Sequence, residues 1–351
     1  MKMRVERILF VCLITVSTTF VQAQDMHFSQ YFQTPLLTNP ANTGVFNGDV
    51  RASLNYRNQW ANLSPFTTYG LSFDMGLLKK KMKDKYIGAG LAIFRDIAGD
   101  SKLSTTVVNL SISSVITVNE HNDISAGIQG GFAQKSLGGS NFEWGSQYDG
   151  SGYNSSVNSN ESSTYEDYTY GDFSAGIKWV YSKNTSDNVV ASDRFNISLG
   201  FSVLHINAPK QEFDLEKLHR EFVTDGGMYI GLTGSSFSLI PSIIYMQQGP
   251  LKEINAGLLI RYAIREETKY TGLLKETAFF FGAYYRFGDA VVPTIMFEVA
   301  NYAIGLSYDI NVSGLKDATN SQGGFEISLR FINPNPFKYG AGAKYKRRSL
   351  Y

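Results

Sequence analysis

The sequence predicts an all-β fold, an antiparallel transmembrane β-barrel of the outer-membrane type with about 14 strands. Apolar side chains alternate with polar residues or glycine along almost the whole chain, and no run after the N-terminal region reaches the ~18 apolar residues of a membrane helix. Composition agrees, because 18% of residues are charged, below the ~25% of ordinary soluble domains, while 14% are aromatic. These averages are expected when only every second residue of a strand faces lipid.

The alternation also delimits the strands. Between residues 67 and 78, Tyr69, Leu71 and Phe73 share one face while Gly70 and Ser72 share the other. The same pattern predicts strands at 49–60, 67–78, 86–95, 102–117, 123–135, 167–182, 193–204, 226–234, 237–247, 252–265, 277–288, 290–299, 301–313 and 323–332. Most reach the ~9–11 residues needed for a tilted crossing. A soluble β-sandwich shows the same alternation but seldom needs this many strands in one repeat-free domain.

The first residues predict export. Basic residues precede the apolar run at 8–16, and Ala23 ends a small-residue cleavage site, so residues 1–23 form a predicted signal peptide. The run is too short for an ordinary membrane helix, which makes an uncleaved anchor the weaker alternative. Cys12 is the one cysteine, so the mature chain is predicted to have no disulfide and no thiolate metal site.

Connection lengths predict the orientation of the barrel. An even strand count puts both termini in the periplasm, and the two longest connections, 136–166 and 205–225, then fall outside the cell. The first is rich in Ser, Asn, Gly and Tyr, as in adaptable contact surfaces, although a disordered loop has the same composition. The second spaces Phe213, Leu215, Leu218 and Phe222 for a short amphipathic helix capping the mouth.

Charged residues of both signs are predicted to face the lumen: Arg57, Asp74, Lys178, Arg261, Arg286, Glu298, Asp309, Glu326 and Arg330. A selective pore more often carries rings of one sign, so mixed signs favour cross-strand ion pairs that brace a filled interior. Simple solvation of these groups is the alternative. Glycines at 127, 130 and 131 fall inside an alternating strand and are assigned to barrel curvature.

No enzymatic or cofactor chemistry is predicted. The 4 histidines are scattered, without metal-ligand spacing or a carboxylate partner nearby in sequence. Nucleophile elbows and phosphate-binding loops do not occur in the sequence. A formal net charge of +1 argues against a nucleic-acid partner. We therefore predict no catalytic, cofactor-binding or metal-binding residues.

Residues 24–44 show neither the two-residue alternation of a strand nor the 3.6-residue period of a helix. They read QDMHFSQYFQTPLLTNPANTG, and the first predicted strand then ends in RNQW. Together these stretches resemble the start of the PorP/SprF family of Bacteroidota outer-membrane proteins. The matching residues are Asp25, Phe28, Ser29, Gln30, Tyr31, Asn39, Pro40, Ala41 and Gly44, with Arg57, Gln59 and Trp60 in the strand. The segment from Tyr308 to Leu315, which includes Asp309, and the stretch at 323–331 also resemble this family.

The resemblance implies a non-enzymatic outer-membrane component of the type IX secretion system, which is tied to protein secretion and gliding motility. One branch, SprF-like, supports export or surface attachment of large adhesins through their C-terminal domains. The other, PorP-like, links the machine to periplasmic ring components. We favour the first because such paralogues are numerous. Implied partners are secretion components in the outer membrane and periplasm, an adhesin C-terminal domain and outer-membrane lipid. An outer-membrane channel for small or hydrophobic solutes, or a surface adhesin in its own right, remains the alternative.

These inferences divide the chain into a signal peptide (1–23), an N-terminal periplasmic segment (24–48), the barrel (49–332) and a basic periplasmic tail (333–351). Asn39, Pro40 and Gly44 have the character of a turn. We predict that residues 24–48 form an ordered plug or partner dock, with Phe28, Tyr31, Phe32, Leu36 and Leu37 packing against the inner wall. The alternative is a loose leader before the first strand.

Overall fold

The computed structural model describes residues 25–60, 64–79, 84–99, 101–138, 144–159, 167–183, 194–211, 217–265, 277–314 and 316–333. The predicted signal peptide and all but the first residue of the predicted tail lie outside these ranges. Within the described chain, no helix has the length and apolar character needed to span a membrane.

Fourteen strands make up the described fold. They are β1 (Val50–Gln59), β2 (Phe66–Leu77), β3 (Lys85–Ala98), β4 (Leu103–Thr117), β5 (Asn122–Leu137), β6 (Tyr168–Ser182), β7 (Phe195–Leu204), β8 (Glu221–Gly231), β9 (Phe237–Gln248), β10 (Leu251–Arg265), β11 (Thr277–Arg286), β12 (Ala290–Val299), β13 (Tyr302–Asn311) and β14 (Gln322–Asn333). Short helical turns lie at Tyr31–Gln33, Pro35–Thr38, Pro40–Asn42, Gly145–Gln147 and Lys316–Thr319.

The strands close into one barrel. Each pairs with its neighbours in sequence, and β1 pairs with β14 from Val50 opposite Asn333 to Gln59 opposite Gly324. Closure gives the backbone N–H and C=O groups of every strand hydrogen-bond partners and leaves no sheet edge exposed to lipid. The prediction of a closed antiparallel barrel of about 14 strands is confirmed.

Burial follows the predicted alternation. On β5, Ile124, Ile128 and Phe132 are exposed on the outside, whereas Ser125 and Gln129 are buried in the lumen. This inverted pattern, apolar outside and polar inside, is stable where lipid rather than water surrounds the protein.

The region before β8 differs from the prediction. β8 begins at Glu221 rather than at 226, because Glu221 already pairs with Leu204 of β7 and Gln248 of β9. Phe222 is an exposed residue of β8, so the predicted amphipathic helix is wrong at this position. Phe213 and Leu215 lie outside the described residues.

The barrel has two mouths. The first mouth is the end where β1 begins and β14 ends, and the second mouth is the end where β1 ends and β2 begins. Asp49 donates its backbone N–H to the Asn333 carbonyl (3.1 Å) at the first mouth. Asp25 donates its backbone N–H to Gln248 Oε1 (3.1 Å), beside the β9–β10 turn at the second mouth. The chain between them, residues 25–48, therefore passes through the lumen, and we call it the luminal segment.

This path corrects the predicted position of the chain ends. An even strand count places both ends of the strands at one mouth, but the luminal segment returns through the barrel before β1 begins. Among the described residues, the first and last therefore lie at opposite mouths, and the prediction that both chain ends share one side is wrong for them.

The luminal segment packs so closely against the barrel wall that only glycine fits at one position of β5. A Cβ added to Gly127 on β5 would overlap the backbone carbonyl of Pro40. We assigned this glycine to curvature from the sequence, but the structure shows that it makes room for the luminal segment.

Replacing Gly127 with alanine is expected to push the luminal segment off β5. Overpacking of this kind costs ~1–3 kcal/mol, so the variant should lose its folded, heat-modifiable gel band several degrees below wild type. Gly171→Ala on β6 is the matched control, since its nearest neighbour outside the local chain is 3.9 Å away. Equal melting of the two variants would contradict the close packing.

Candidate functional site

The luminal segment and its contacts form the candidate functional site. Two of its three helical turns begin with proline, at Pro35 and Pro40, where the missing N–H is not needed by the helix. The Asn39 side chain caps the second of these turns by accepting from the Ala41 N–H (2.8 Å). These local bonds explain why a segment without strand or helix periodicity is nevertheless ordered.

Near the second mouth, two wall carboxylates bind the stretch Phe28-Ser29-Gln30-Tyr31. Glu326 accepts the backbone N–H groups of Ser29 (2.8 Å) and Gln30 (3.0 Å). Asp309 accepts the Ser29 hydroxyl (2.7 Å). Ser328 donates to the Gln30 side-chain oxygen (2.7 Å). The serine and glutamine thus have partners on both β13 and β14.

Two arginines neutralise these carboxylates. Arg57 and Arg286 each contact Asp309, at 2.8 Å and 2.7 Å. Arg57 also donates to the backbone carbonyl of His27. With only 1% of Arg57 exposed, the network is buried, and such a charge cluster is tolerable only because opposite charges and hydrogen bonds compensate it. Three of the predicted inward charges, Arg57, Arg286 and Asp309, are therefore joined in cross-strand pairs.

Aromatic residues fill the space beside this network. Tyr31 packs edge-on against Tyr284 of β11 (5.8 Å between centroids), and Phe32 stacks on the same ring (5.6 Å). The Tyr31 hydroxyl donates to Ser242 (2.9 Å). Phe28 packs near Phe94 of β3 (6.3 Å). Leu36 is fully buried in the same cluster as Phe28, and Leu37 packs at its edge.

The stretch Asn39-Pro40-Ala41 docks on β5, β6 and β7. Asn39 donates its amide to the Ile177 carbonyl (3.1 Å). Ser125 donates to the Ala41 carbonyl (2.8 Å). Asn39 and Ala41 are both 0% exposed. The Asn39 amide also lies 3.4 Å from the Phe201 carbonyl, so one backbone carbonyl and one side-chain amide of this turn bond to groups of β5, β6 and β7.

Gly44 ends the docked stretch near the first mouth. Its φ of 73° lies in the left-handed region that favours glycine. Its N–H donates to Asp74 (2.7 Å), and Arg51 pairs with the same carboxylate (2.8 Å). This turn redirects the chain from the lumen into β1.

A second charged cluster lies around Asp25 at the second mouth. His205 Nε2 is 2.6 Å from Asp25 Oδ2, and its Nδ1 is 2.9 Å from Asp172 Oδ2. Burial lowers the pKa of His205, but the Asp25 charge and the hydrogen bonds that the imidazole donates to both carboxylates outweigh it and raise the pKa to about 10. The sequence analysis found no carboxylate partner for His205, because Asp25 and Asp172 are distant from it in sequence and come close to it only in the folded barrel.

The structure brings most of the predicted site residues together. Arg57 and Asp309 contact the stretch around Ser29, while Asp25 joins the His205 cluster. Gln59 and Trp60 lie instead at the rim, where β1 ends and Trp60 packs edge-on against Phe66 (5.3 Å). The sequence analysis assigned no role to Glu221 and predicted only that Glu326 faces the lumen. The functional roles of all these residues stay predictions.

Comparison with known proteins identifies a family. The family model described as type IX secretion system membrane protein PorP/SprF matches residues 20–331. No curated protein matches the chain.

Solved structures share the barrel fold at low identity. The toluene transporter TbuX of Ralstonia pickettii aligns with a TM-score of 0.46 and 9% identity, covering 86% of this chain and 94% of the transporter. The CymD monoaromatic hydrocarbon channel aligns with a TM-score of 0.45 and 12% identity over 88% of this chain and 94% of the channel. BamA from Haemophilus ducreyi lacking POTRA domains 1–3 gives 0.41 and 11%, over 82% and 70%. These likenesses concern the fold alone.

Glu326→Ala is expected to loosen the stretch around Ser29. Two buried backbone N–H groups would lose their acceptor, at a cost of ~1–3 kcal/mol each. Hydrogen–deuterium exchange at the Ser29 and Gln30 amides should therefore accelerate by at least tenfold. Glu298→Ala, which removes the half-buried partner of Arg330 (3.4 Å), is the control and should leave both amides protected. Unchanged exchange in Glu326→Ala would contradict the assigned contacts.

Proposed function

We infer the function of this protein from its family, because the chain belongs to the PorP/SprF membrane proteins of the type IX secretion system. It is an outer-membrane component of that system, and its closed antiparallel barrel provides the membrane-spanning structure.

We propose that the barrel is closed to solutes and acts as an anchor and docking site for secretion partners. The observation that carries this proposal is the occupied lumen. Leu36, Asn39 and Ala41 are 0% exposed, and carboxylates, hydroxyls and aromatic rings of the wall contact the luminal segment along its length. Conduction requires a continuous hydrated path, which this packing opposes. The low-identity likeness to channels supplies no argument for conduction.

Within the family, we propose the SprF-like role, in which the protein supports export or surface attachment of a large adhesin. The β5–β6 connection supports it. Residues 144–159 include a hydrogen-bonded turn around Asp149, and Tyr148 and Tyr153 pair across it with exposures of 63% and 47%. Exposed tyrosines among small polar residues are typical of adaptable contact surfaces. We place the adhesin contact on this second-mouth surface and the periplasmic partners at the first mouth.

Orientation is testable because the mature chain is predicted to contain no cysteine. We expect Ser155→Cys, in the exposed β5–β6 connection, to react with a membrane-impermeant maleimide on intact cells. Ser236→Cys, exposed in the β8–β9 turn at the first mouth, is the matched variant and should react only after the outer membrane is permeabilised. The reverse pattern would place the second mouth in the periplasm and overturn the proposed arrangement of partners.

The proposed role is tested by crosslinked pull-down of the tagged protein from native outer membranes, followed by mass spectrometry. We expect type IX secretion components together with the C-terminal domain of a large adhesin. Recovery of ring components without adhesin would favour the PorP-like role. The purified wild-type protein should give no steady conductance in planar bilayers, whereas deletion of residues 25–44 should create one. Recovery of the barrel alone with steady wild-type conductance would favour a solute channel.

A further inference from the structure

The charged cluster around Asp25 has a composition that the proposed docking role does not require. Its members come from separate elements: Asp25 from the luminal segment, Asp172 from β6, His205 from the β7–β8 connection and Glu221 from β8. Ligand atoms of Asp25, His205 and Glu221 all lie within 4.8 Å of one another. The fold therefore brings an imidazole and two carboxylates to one point at the second mouth.

His205 is held in position for this point. Its Nδ1 lies 2.9 Å from Asp172, which leaves Nε2 directed at Asp25. A carboxylate that orients the far nitrogen of a histidine is the usual second partner in histidine metal sites. The backbone of His205 also has a φ of 55°, an uncommon conformation for a residue with a Cβ, and such strain concentrates at functional positions.

Glu221 supplies an independent observation. It is 9% exposed, and its carboxylate forms neither a hydrogen bond nor an ion pair with any residue in the described part of the chain. A buried carboxylate without a partner is costly. Asp25, Asp172 and Glu221 together outnumber the single charge that His205 can carry. The Lys135 ammonium also acts on Asp25, so the three carboxylates, when all are ionised, exceed the two positive charges by one, and a bound cation would neutralise this excess.

We propose that Asp25, His205 and Glu221 bind a zinc ion, with Asp172 orienting the histidine. One imidazole and two carboxylates form a three-ligand set of the kind that zinc accepts, leaving a fourth position for water. Zinc bonds of about 2.0–2.2 Å would hold neighbouring ligand atoms roughly 3.4 Å apart in a tetrahedral site. The 2.6 Å between His205 Nε2 and Asp25 Oδ2 therefore has to widen by less than ~1 Å, within the reach of a side-chain rotation. Binding would displace the proton that Nε2 otherwise shares with Asp25.

The ion would join the start of the luminal segment to two elements of the wall. Asp25 is the first described residue of that segment, and its backbone N–H already contacts Gln248. A zinc bridge from Asp25 to His205 and Glu221 would close the second mouth over the network of Arg57 and Asp309. This role concerns the order of the luminal segment and is independent of which secretion partner binds.

The test uses the full-length mature protein purified in detergent, stripped with EDTA and titrated with ZnCl₂ in an isothermal calorimeter. We expect about one zinc per chain with a dissociation constant in the micromolar range or tighter. Glu221→Gln keeps the size of the side chain and should weaken binding at least tenfold. Glu253→Gln is the matched control, because Glu253 is another buried luminal carboxylate that pairs with a histidine, His27 (3.3 Å), outside the cluster. It should bind zinc as wild type does.

A spectroscopic measurement keeps the test independent of folding defects. The zinc K-edge spectrum of the loaded wild-type protein should show oxygen and imidazole nitrogen neighbours, and the imidazole signal should vanish in His205→Gln. Variants are compared only if their heat-modifiable gel bands match wild type. Absence of stoichiometric binding, or equal affinities for wild type and Glu221→Gln, would overturn the proposal and leave His205 as an imidazolium shared by Asp25 and Asp172.

Discussion

The need to pair buried backbone groups inside the lumen is the constraint on which the rest of this structure depends. A stretch of chain with only short helical turns cannot pair all of its own N–H and C=O groups, and most of this stretch is buried in the lumen. The wall supplies the partners. Ser113, Ser125 and Ser202 donate hydroxyls to the carbonyls of Thr43, Ala41 and Thr38. Glu326 accepts two backbone N–H groups. Small polar residues on the inward faces of the strands are thus the counterpart of the luminal segment.

Charge follows from the same constraint. A buried carboxylate that accepts hydrogen bonds from the luminal segment needs a cation nearby, and Arg57, Arg286 and Arg51 meet this need at the two ends of the lumen. Because each arginine contacts a carboxylate that also binds the luminal segment, the segment and the barrel wall stabilise one another. Removal of the segment would leave buried charges and hydroxyls without their partners. An occupied lumen is for this reason part of the fold rather than an addition to it.

The same arrangement gives the two mouths different chemistry. At the first mouth, Asp74 and Arg51 surround the turn at Gly44, and the chain passes directly into β1. At the second mouth, the start of the luminal segment is held by side chains, among them His205 and Gln248. This mouth also carries the β5–β6 connection with its exposed tyrosines. The proposed partner surface and the anchored end of the luminal segment therefore lie on the same side of the barrel.

The sequence by itself determined the barrel. Period-2 alternation depends only on neighbouring residues, so it located most strands to within a few positions, and the even count follows from it. It also identified the inward charges such as Arg57 and Asp309, because a charged residue within an alternating strand must lie on the side away from lipid. The family resemblance singled out Asp25, Ser29, Asn39 and Gly44 without their partners.

Only the tertiary structure decided the path of the luminal segment and the contacts that its residues make. Asp25 and His205 are separated in sequence by the first seven strands, and no local pattern reports a contact of that kind. The predicted helix at Phe222 failed for a related reason, since near-helical spacing over a few residues is outweighed by ladder bonds to β7 and β9. The number of strands also could not predict where the chain ends lie, because it describes the barrel wall and not the segment inside the lumen. Local periodicity fixes which residues face inward, whereas their partners depend on how the closed barrel brings distant strands together.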